Sequence, residues 1–554
     1  MLFAEENLFM LAQAGALGAL LSLMSSSNSD PNELGDNDCV KVRCGKYVKL
    51  FDSLFVCGSC VTIVRSVLNS QDAALALAQL VKLKDIKVRF LSAPKGLETV
   101  FAMMHSHQKK IKRAAMGVMR NLCTTDDIDT QVIARGGLRH LFGLVHNKSD
   151  SHVQNVAAEV VRSIANSGVK KELLSDLHVL RLALMSLRAE FLDSEELIEL
   201  AILEYLTAVA SAQQNRALIV QLGASRVLLN KLNDQYMNIP NIVVICKCLL
   251  FLSNDPECHP QLLKENLLPI LIKVAFKDVP SRLRIQLSAT AAPGASPDAL
   301  DGNSAEAEPP KDYSKSPAHD IMRACFTIIA EMSKTASCAE EIIHSGIVLH
   351  LTEAAFSLFG SDRKMARDLG QIIQQLAEQA KDSVQWCQTL TSHGALDATE
   401  RMVLSNDLRQ KSFAVRGLVV FAEHQNVRHI ICSQAIIVEL IALAYIPEDS
   451  APCINLLSRI SDLESARDML VELGVLDPLL GALKANWDKS HDSFPLVADA
   501  MHALKNLNHM EKTKHAIVAD TTMKLIFRIS KMSNHPARSV RTTQHLLKTV
   551  LRSN

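Results

Sequence analysis

Gly136-Gly137-Leu138-Arg139-His140-Leu141-Phe142-Gly143-Leu144-Val145, then the polar turn Asn147-Lys148-Ser149-Asp150, then Val153-Gln154-Asn155-Val156-Ala157-Ala158-Glu159-Val160-Val161-Arg162-Ser163-Ile164-Ala165-Asn166, is the stretch that decides the fold. A glycine opens an apolar helix, a polar turn reverses the chain, and a longer helix follows whose apolar residues recur at three- and four-residue spacing. The same design stands about forty residues earlier. There Gly96-Leu97-Glu98-Thr99-Val100-Phe101-Ala102-Met103-Met104 precedes a helix from Gln108 to Cys123 that ends Met119-Arg120-Asn121-Leu122.

A period near forty, with two or three amphipathic helices in each period and no strand signal, marks a stacked helical array. Each helix set carries apolar surface that it cannot bury alone, so its neighbours must cover it. The pattern Gly-Gly-Leu-x-x-Leu-x-x-Leu-Val, polar turn, Val-Gln-x-x-Ala-Ala-x-x-Val-x-x-Ile-Ala-Asn at 136–166 resembles the armadillo repeat. The resemblance implies an all-α, armadillo-like, right-handed superhelical solenoid, here of about twelve helical repeats. In that family the last helix of each repeat lines a concave groove.

At 554 residues the chain exceeds what one ordinary core supports, whereas a solenoid grows in one dimension. Apolar residues make up 48% and aromatic residues only 4%, so the core is expected from aliphatic side chains between helices. Lys plus Arg and Asp plus Glu are equal at 59 each, which argues against a general nucleic-acid or membrane-surface binder. The 13 cysteines are scattered through apolar helix patterns, as in Ile245-Cys246-Lys247-Cys248-Leu249-Leu250, and read as reduced thiols of a cytosolic or nuclear protein. Met1-Leu2-Phe3-Ala4-Glu5-Glu6 lacks a basic leader, and no apolar run reaches the roughly 18 residues of a membrane span. The expectation is a cytoplasmic protein without a membrane span. A capping repeat presents a polar outer face, yet Leu2, Phe3, Leu8, Phe9 and Leu11 begin the chain, so the start is read as packed on something or truncated.

Along the chain, small or polar residues precede an apolar helix at Gly15, Gly58, Gly96, Gly137, His178, Gly223 and Asn266, and again at Gly346, Gly394, Ala435, Gly474 and Asp520. Between the two series, residues 279–317 offer little to bury, with Ala291-Ala292-Pro293-Gly294-Ala295-Ser296-Pro297 at their centre. The organisation expected is therefore armadillo-like repeats over 1–278, a disordered insertion over 279–317 inside one repeat, and further repeats with a cap over 318–554. Ser316-Pro317 is a candidate phosphorylation site of that insertion.

Signals for chemistry are few. Cys39, Cys44, Cys57 and Cys60 give a spacing that suggests zinc or a redox dithiol, but Gly58 is a repeat anchor and Cys60, Ile63, Val64 and Val67 share one helix face, which makes Cys60 a core residue. No Gly-Lys-Ser/Thr phosphate loop, His-Glu-x-x-His or Gly-x-Ser-x-Gly occurs. The 19 histidines are dispersed at helix ends and polar positions, where they are solvated. No catalytic, cofactor or metal site is assigned, and a small-molecule substrate or nucleic-acid ligand is not expected.

The sharper pattern is on the third helix of each unit. Between Gln108 and Cys123, Ile111, Ala114, Ala115, Val118 and Leu122 form a buried stripe and leave Lys109, Arg113, Arg120 and Asn121 toward another face. One repeat on, Asn155 stands at the place of Arg113 and Arg162 at that of Arg120. Stacking lines these six residues into a polar, basic ladder suited to an extended acidic segment of another protein. The same residues also read as an ordinary solvated helix face, and Glu195, Glu196, Glu199 and Glu204 confine any basic patch to this region. Import receptors of the armadillo family pair a Trp with an Asn on groove helices. Trp386 and Trp487 do not supply that pair, while Asn121 and Asn506 match the groove asparagine. The function expected is a non-catalytic protein-interaction scaffold or adaptor. A structural component of a cytoskeletal or ciliary assembly and a nucleocytoplasmic transport adaptor are the alternatives.

Overall fold

In the computed structural model, every regular element among the described residues is a helix. These residues are 96–146, 150–188, 196–234, 237–278, 317–356, 362–486, 494–508 and 511–518, with isolated positions between 77 and 91 and beyond 523. The anchors Gly15, Gly58 and Asp520, the cysteines from Cys39 to Cys60, the chain start and the insertion lie outside them, save that Pro317 opens a helix. The chain divides into two compact units, residues 1–265 and 266–554.

The first unit contains α1 (Gly96–Met104), α2 (Lys109–Leu122), α3 (Asp126–Ala134), α4 (Gly137–His146), α5 (Ser151–Asn166), α6 (Leu177–Arg188), α7 (Glu196–Ser211), α8 (Gln213–Gln221), α9 (Ala224–Leu232), α10 (Ile239–Ser253) and α11 (His259–Lys264). The repeating module is a short first helix, a second and a longer third, as in α3–α4–α5 and α8–α9–α10. Before α6 a single 3-10 turn, Lys171–Leu174, stands in for the first helix. The third helices α2, α5, α7 and α10 pack side by side in sequence order.

The second unit contains α12 (Leu267–Leu271), which runs on as a π-helical stretch over Ile272–Asp278, then α13 (Pro317–Met332), α14 (Ala336–His344), α15 (Ile347–Phe356), α16 (Arg363–Ala380), α17 (Val384–Ser392), α18 (Ala395–Val403) and α19 (Leu408–Phe421). It continues through α20 (Gln425–Ile431), α21 (Gln434–Leu443), α22 (Ser450–Ile460), α23 (Glu464–Glu472), α24 (Leu476–Asn486), α25 (Phe494–Leu507) and α26 (Glu511–Val518). Here α13, α16, α19, α22 and α25 form the row of third helices.

Local chemistry explains the module. At α5 the Asp150 carboxylate accepts the amides of His152 and Val153, satisfying donors that the first turn leaves open. Val153, Val156, Ala157, Val160, Val161 and Ile164 then form its buried face, and each fully buried Val or Ile contributes roughly 1.5–3 kcal/mol. Ile111, Ala114, Ala115, Val118 and Leu122 of α2 are all buried, as the three-four spacing predicts.

At six joints a first and a second helix are connected through one left-handed residue. Gly136, Gly223, Gly346, Gly394 and Gly474 have φ between 75° and 88°, and Asn266 takes the same role at 61°. Side chains other than Asn rarely occupy this region, because Cβ meets the backbone. In the deciding stretch the turn is made by Gly136. Gly137, the predicted anchor, is instead required by packing, since a Cβ there would lie 2.4 Å from Val132 Cγ1.

Candidate functional site

The structure places the six ladder residues on packed α2 and α5, and gives four of them partners inside the stack. Arg113 Nε reaches Asp150 Oδ2 at 3.1 Å and its Nη2 reaches Oδ1 at 3.3 Å. Arg120 lies 3.8 Å from Glu159. Arg162 Nε donates to Glu204 Oε2 at 2.8 Å, an oxygen that also accepts the Asn166 amide. Asn121 Nδ2 donates to the Ala78 carbonyl at 2.7 Å. Lys109 is exposed and Asn155 half-buried, and neither makes a hydrogen bond or ion pair among the described residues. The guanidinium side chains stay about half exposed, at 51%, 57% and 45% for Arg113, Arg120 and Arg162.

The Arg113 contact belongs to a device that recurs at several joints between third helices: an aspartate stands at the start of a third helix, and a base on the preceding third helix reaches it. Arg113 reaches Asp150, Arg367 reaches Asp407, and Arg416 approaches Asp449, to which Ser412 also donates. Asp362 caps α16, takes His319 Nε2 at 2.8 Å and faces Arg323 Nε at 3.5 Å. At Asp407 the bond from Arg367 outweighs burial and, with the amides of Gln410 and Arg409, holds the carboxyl below its ordinary pKa. At Asp150 burial pushes upward, but Arg113 and the amides of Val153 and His152 overcome it and the pKa is lowered.

Glu199 and Glu204, two of the acidic residues that bound the basic patch in the sequence, also have partners inside the stack. Glu199 meets Lys231 at 2.9 Å and accepts the buried amide of Asn241, also at 2.9 Å. The two groove-type asparagines both reach back by about one repeat, Asn506 donating to Ser461 Oγ at 3.0 Å and Asp462 Oδ1 at 2.9 Å. Several histidines depart from the solvated role expected of them. His259 is buried with Nε2 2.6 Å from the Ser253 carbonyl, and His105 and His140 share a 2.7 Å hydrogen bond.

Open surface remains in each unit. In the first unit, Arg188 and Arg226 line two adjoining clefts of about 470 and 480 Å³. In the second, Leu404 and Tyr445 leave the ends of α18 and α21 at 48% and 62% exposure, and a separate cleft holds Arg401 5.3 Å from the Phe356 ring centre. Buried thiols among the described residues are poor nucleophiles. Burial pushes Cys246, Cys248 and Cys453 up to about 12, and Cys387, 3.1 Å from His424 Nε2, up to about 11. Among the described residues no group of three or more His, Cys, Asp or Glu is placed to hold a metal ion, and no single helix is long and apolar enough to cross a membrane.

No family model matches the chain. A stretch is 24% identical over 189 residues to Vacuolar protein 8 of Candida albicans (strain SC5314 / ATCC MYA-2876), covering 33% of this chain and 31% of that protein. The backbone is similar to an engineered protein with a TM-score of 0.55 at 16% identity, covering 83% of this chain and 98% of the other. It is also similar, with a TM-score of 0.58 at 12% identity over 98% of this chain and 96% of the other, to a chain from work on the phosphorylation switch that controls the interaction between cadherin and beta-catenin. The fold is armadillo-like.

With the armadillo-like frame in place, the missed partners have a sequence signal. Each aspartate cap stands 37 to 40 residues beyond its arginine in Arg113/Asp150 and Arg367/Asp407, close to one repeat length. Searching the chain for opposite charges at the repeat period would have found the bridges between armadillo-like repeats that helix-face reasoning overlooks.

Proposed function

We propose that the chain is a non-catalytic protein-interaction scaffold or adaptor that binds segments of partner proteins along its repeats. The observation that carries this reading is the ladder itself: Arg113, Arg120 and Arg162 lie about half exposed on adjacent third helices, with exposed Lys109 and half-buried Asn155 on the same helices. The Arg120–Glu159 pair is exposed on both sides, and a surface ion pair is worth only about 0–1 kcal/mol, so a partner carboxylate exchanges with Glu159 at little cost. Asn121, on the same helix as Arg113, gives its amide to the Ala78 carbonyl. An extended acidic segment is the partner chemistry that fits, and cytoplasmic residence is part of the reading.

The test is affinity capture followed by mass spectrometry. Reversing charge at Arg113 and Arg120 should remove partners captured by the native chain, and unchanged capture would eliminate this ladder. The reading also holds that 1–278 and 318–554 are repeat segments around an insertion at 279–317. Deleting 279–317 should then leave helix content and the unfolding midpoint close to native, and a collapse of either would contradict that organisation.

A further inference from the structure

We infer that Arg188 and Arg226 form a second binding site, on second helices rather than third, for a carboxylate-bearing segment of a partner protein. This rests on the scaffold reading and adds the chemistry of one contact.

Arg188 ends α6 and Arg226 lies in α9, the second helix of the next repeat, and these two helices pack together. Both side chains line both clefts described above. The two residues are exposed, and neither guanidinium has an ion pair or hydrogen bond among the described residues. Among the described residues, other guanidinium groups in this unit are satisfied internally, Arg181 of α6 excepted. The second-helix Arg139 donates to Asp176 at 2.7 Å, and Arg216 donates to the carbonyls of Ala210 and Ser211. Lys231, which lines the second cleft, is neutralised by Glu199 at 2.9 Å. Arg188 and Arg226 are thus the cations left uncompensated in these clefts, and a guanidinium binds a planar carboxylate through paired N–H donors.

The remaining walls select among anions. Glu257 and Glu265 line the first cleft and Asp234 the second, so negative charge stands close to the two arginines. A nucleic-acid strand or polyphosphate brings charge along its whole length and meets that repulsion. A peptide brings an isolated carboxylate on a neutral backbone, and the Gln221 and Asn230 amides that line the clefts are suited to its carbonyl and N–H groups. Cys258 also lines the first cleft, but burial, then Asp255, pushes its thiol up to about 12, so the cleft offers no nucleophile.

The experiment uses the full chain and a fluorescein-labelled peptide of alternating glutamate and glycine, read by fluorescence anisotropy. The native chain should bind it saturably, a glutamine–glycine peptide should not bind, and Arg188→Glu with Arg226→Glu should weaken binding by about tenfold or more. Arg188→Gln with Arg226→Gln should weaken it in the same direction with an unchanged unfolding midpoint, since both side chains are exposed and unpaired. Arg181→Glu, at an exposed residue of α6 that lines neither cleft, should leave it intact. Three results would overturn the proposal: no saturable binding to the native chain, equal binding by the Arg188/Arg226 variants, or polyphosphate displacing the peptide at lower charge concentration than unlabelled peptide does. If only the Arg113/Arg120 variant loses captured partners, the scaffold reading stands and this site falls.

Discussion

Arg367 donates Nη2 to Asp407 Oδ2 at 2.6 Å and Nε to Oδ1 at 3.3 Å, while Asp407 accepts the amides of Arg409 and Gln410 at the start of α19. One carboxylate therefore begins a third helix and fastens it to the helix before. The two roles separate by substitution. Asp407→Asn keeps a capping oxygen and loses the charge pair, whereas Asp407→Ala loses both and should cost about 1 kcal/mol more, the usual worth of a cap. Urea unfolding of both variants and of Arg367→Ala measures this. Equal destabilisation by Asn and Ala would show that the cap adds nothing.

Acid should weaken the same joints. The Asp407 and Asp150 carboxyls titrate below their ordinary value in the folded chain, the first mainly through Arg367 and the second because Arg113 and two amides overcome burial. A lowered folded-state pKa means that the unfolded chain takes up the proton first as pH falls. The stabilisation is complete well above the ordinary carboxylate pKa of about 3.9 and is lost as pH drops below that value toward the folded-state one. Thermal midpoints measured from pH 7 to pH 3 should fall at the acid end, and less steeply for Asp407→Asn. Parallel curves would exclude Asp407 from the effect.

Thiol chemistry gives an independent reading of burial. Cys246, Cys248 and Cys453 should resist iodoacetamide at pH 8 in the folded chain and react after unfolding, because each is buried and held near 12. Cys432, only partly buried, should be alkylated first among the described cysteines. Peptide mapping by mass spectrometry decides the order, and rapid native labelling of Cys246 would contradict the packing of α10.

The left-handed turns differ in what they tolerate. Gly223→Ala places a Cβ at φ 79° and should cost roughly 1–2 kcal/mol, while Gly223→Asn should cost less, as Asn266 already occupies this conformation at 61°. Calorimetry of the two variants checks the order, and a tolerated alanine would mean that the turn relaxes.

Much of this architecture was legible in the chain itself. The forty-residue spacing follows from the recurrence of the repeat anchors, while the stripe from Ile111 to Leu122 and the apolar setting of Cys246 and Cys248 follow from helical periodicity, because each depends on neighbours three or four positions away. The fate of Arg113, Arg162 and Asn121 was less legible. Their surroundings are set by Asp150, Glu204 and the Ala78 carbonyl, which lie 37 to 43 residues off and are brought near only by stacking. A helical wheel shows which way such a side chain faces and not whom it meets. The open state of Arg188 and Arg226 was hidden for the same reason, since a lack of partners is a property of the packed array.

The aspartate bridges bind only adjoining modules, with consequences for how damage spreads. Cutting the tie between Arg367 and Asp407 weakens one joint and leaves Arg113 with Asp150 untouched, so within each unit loss should proceed like a zip opening from the weakened tooth rather than as a single collapse.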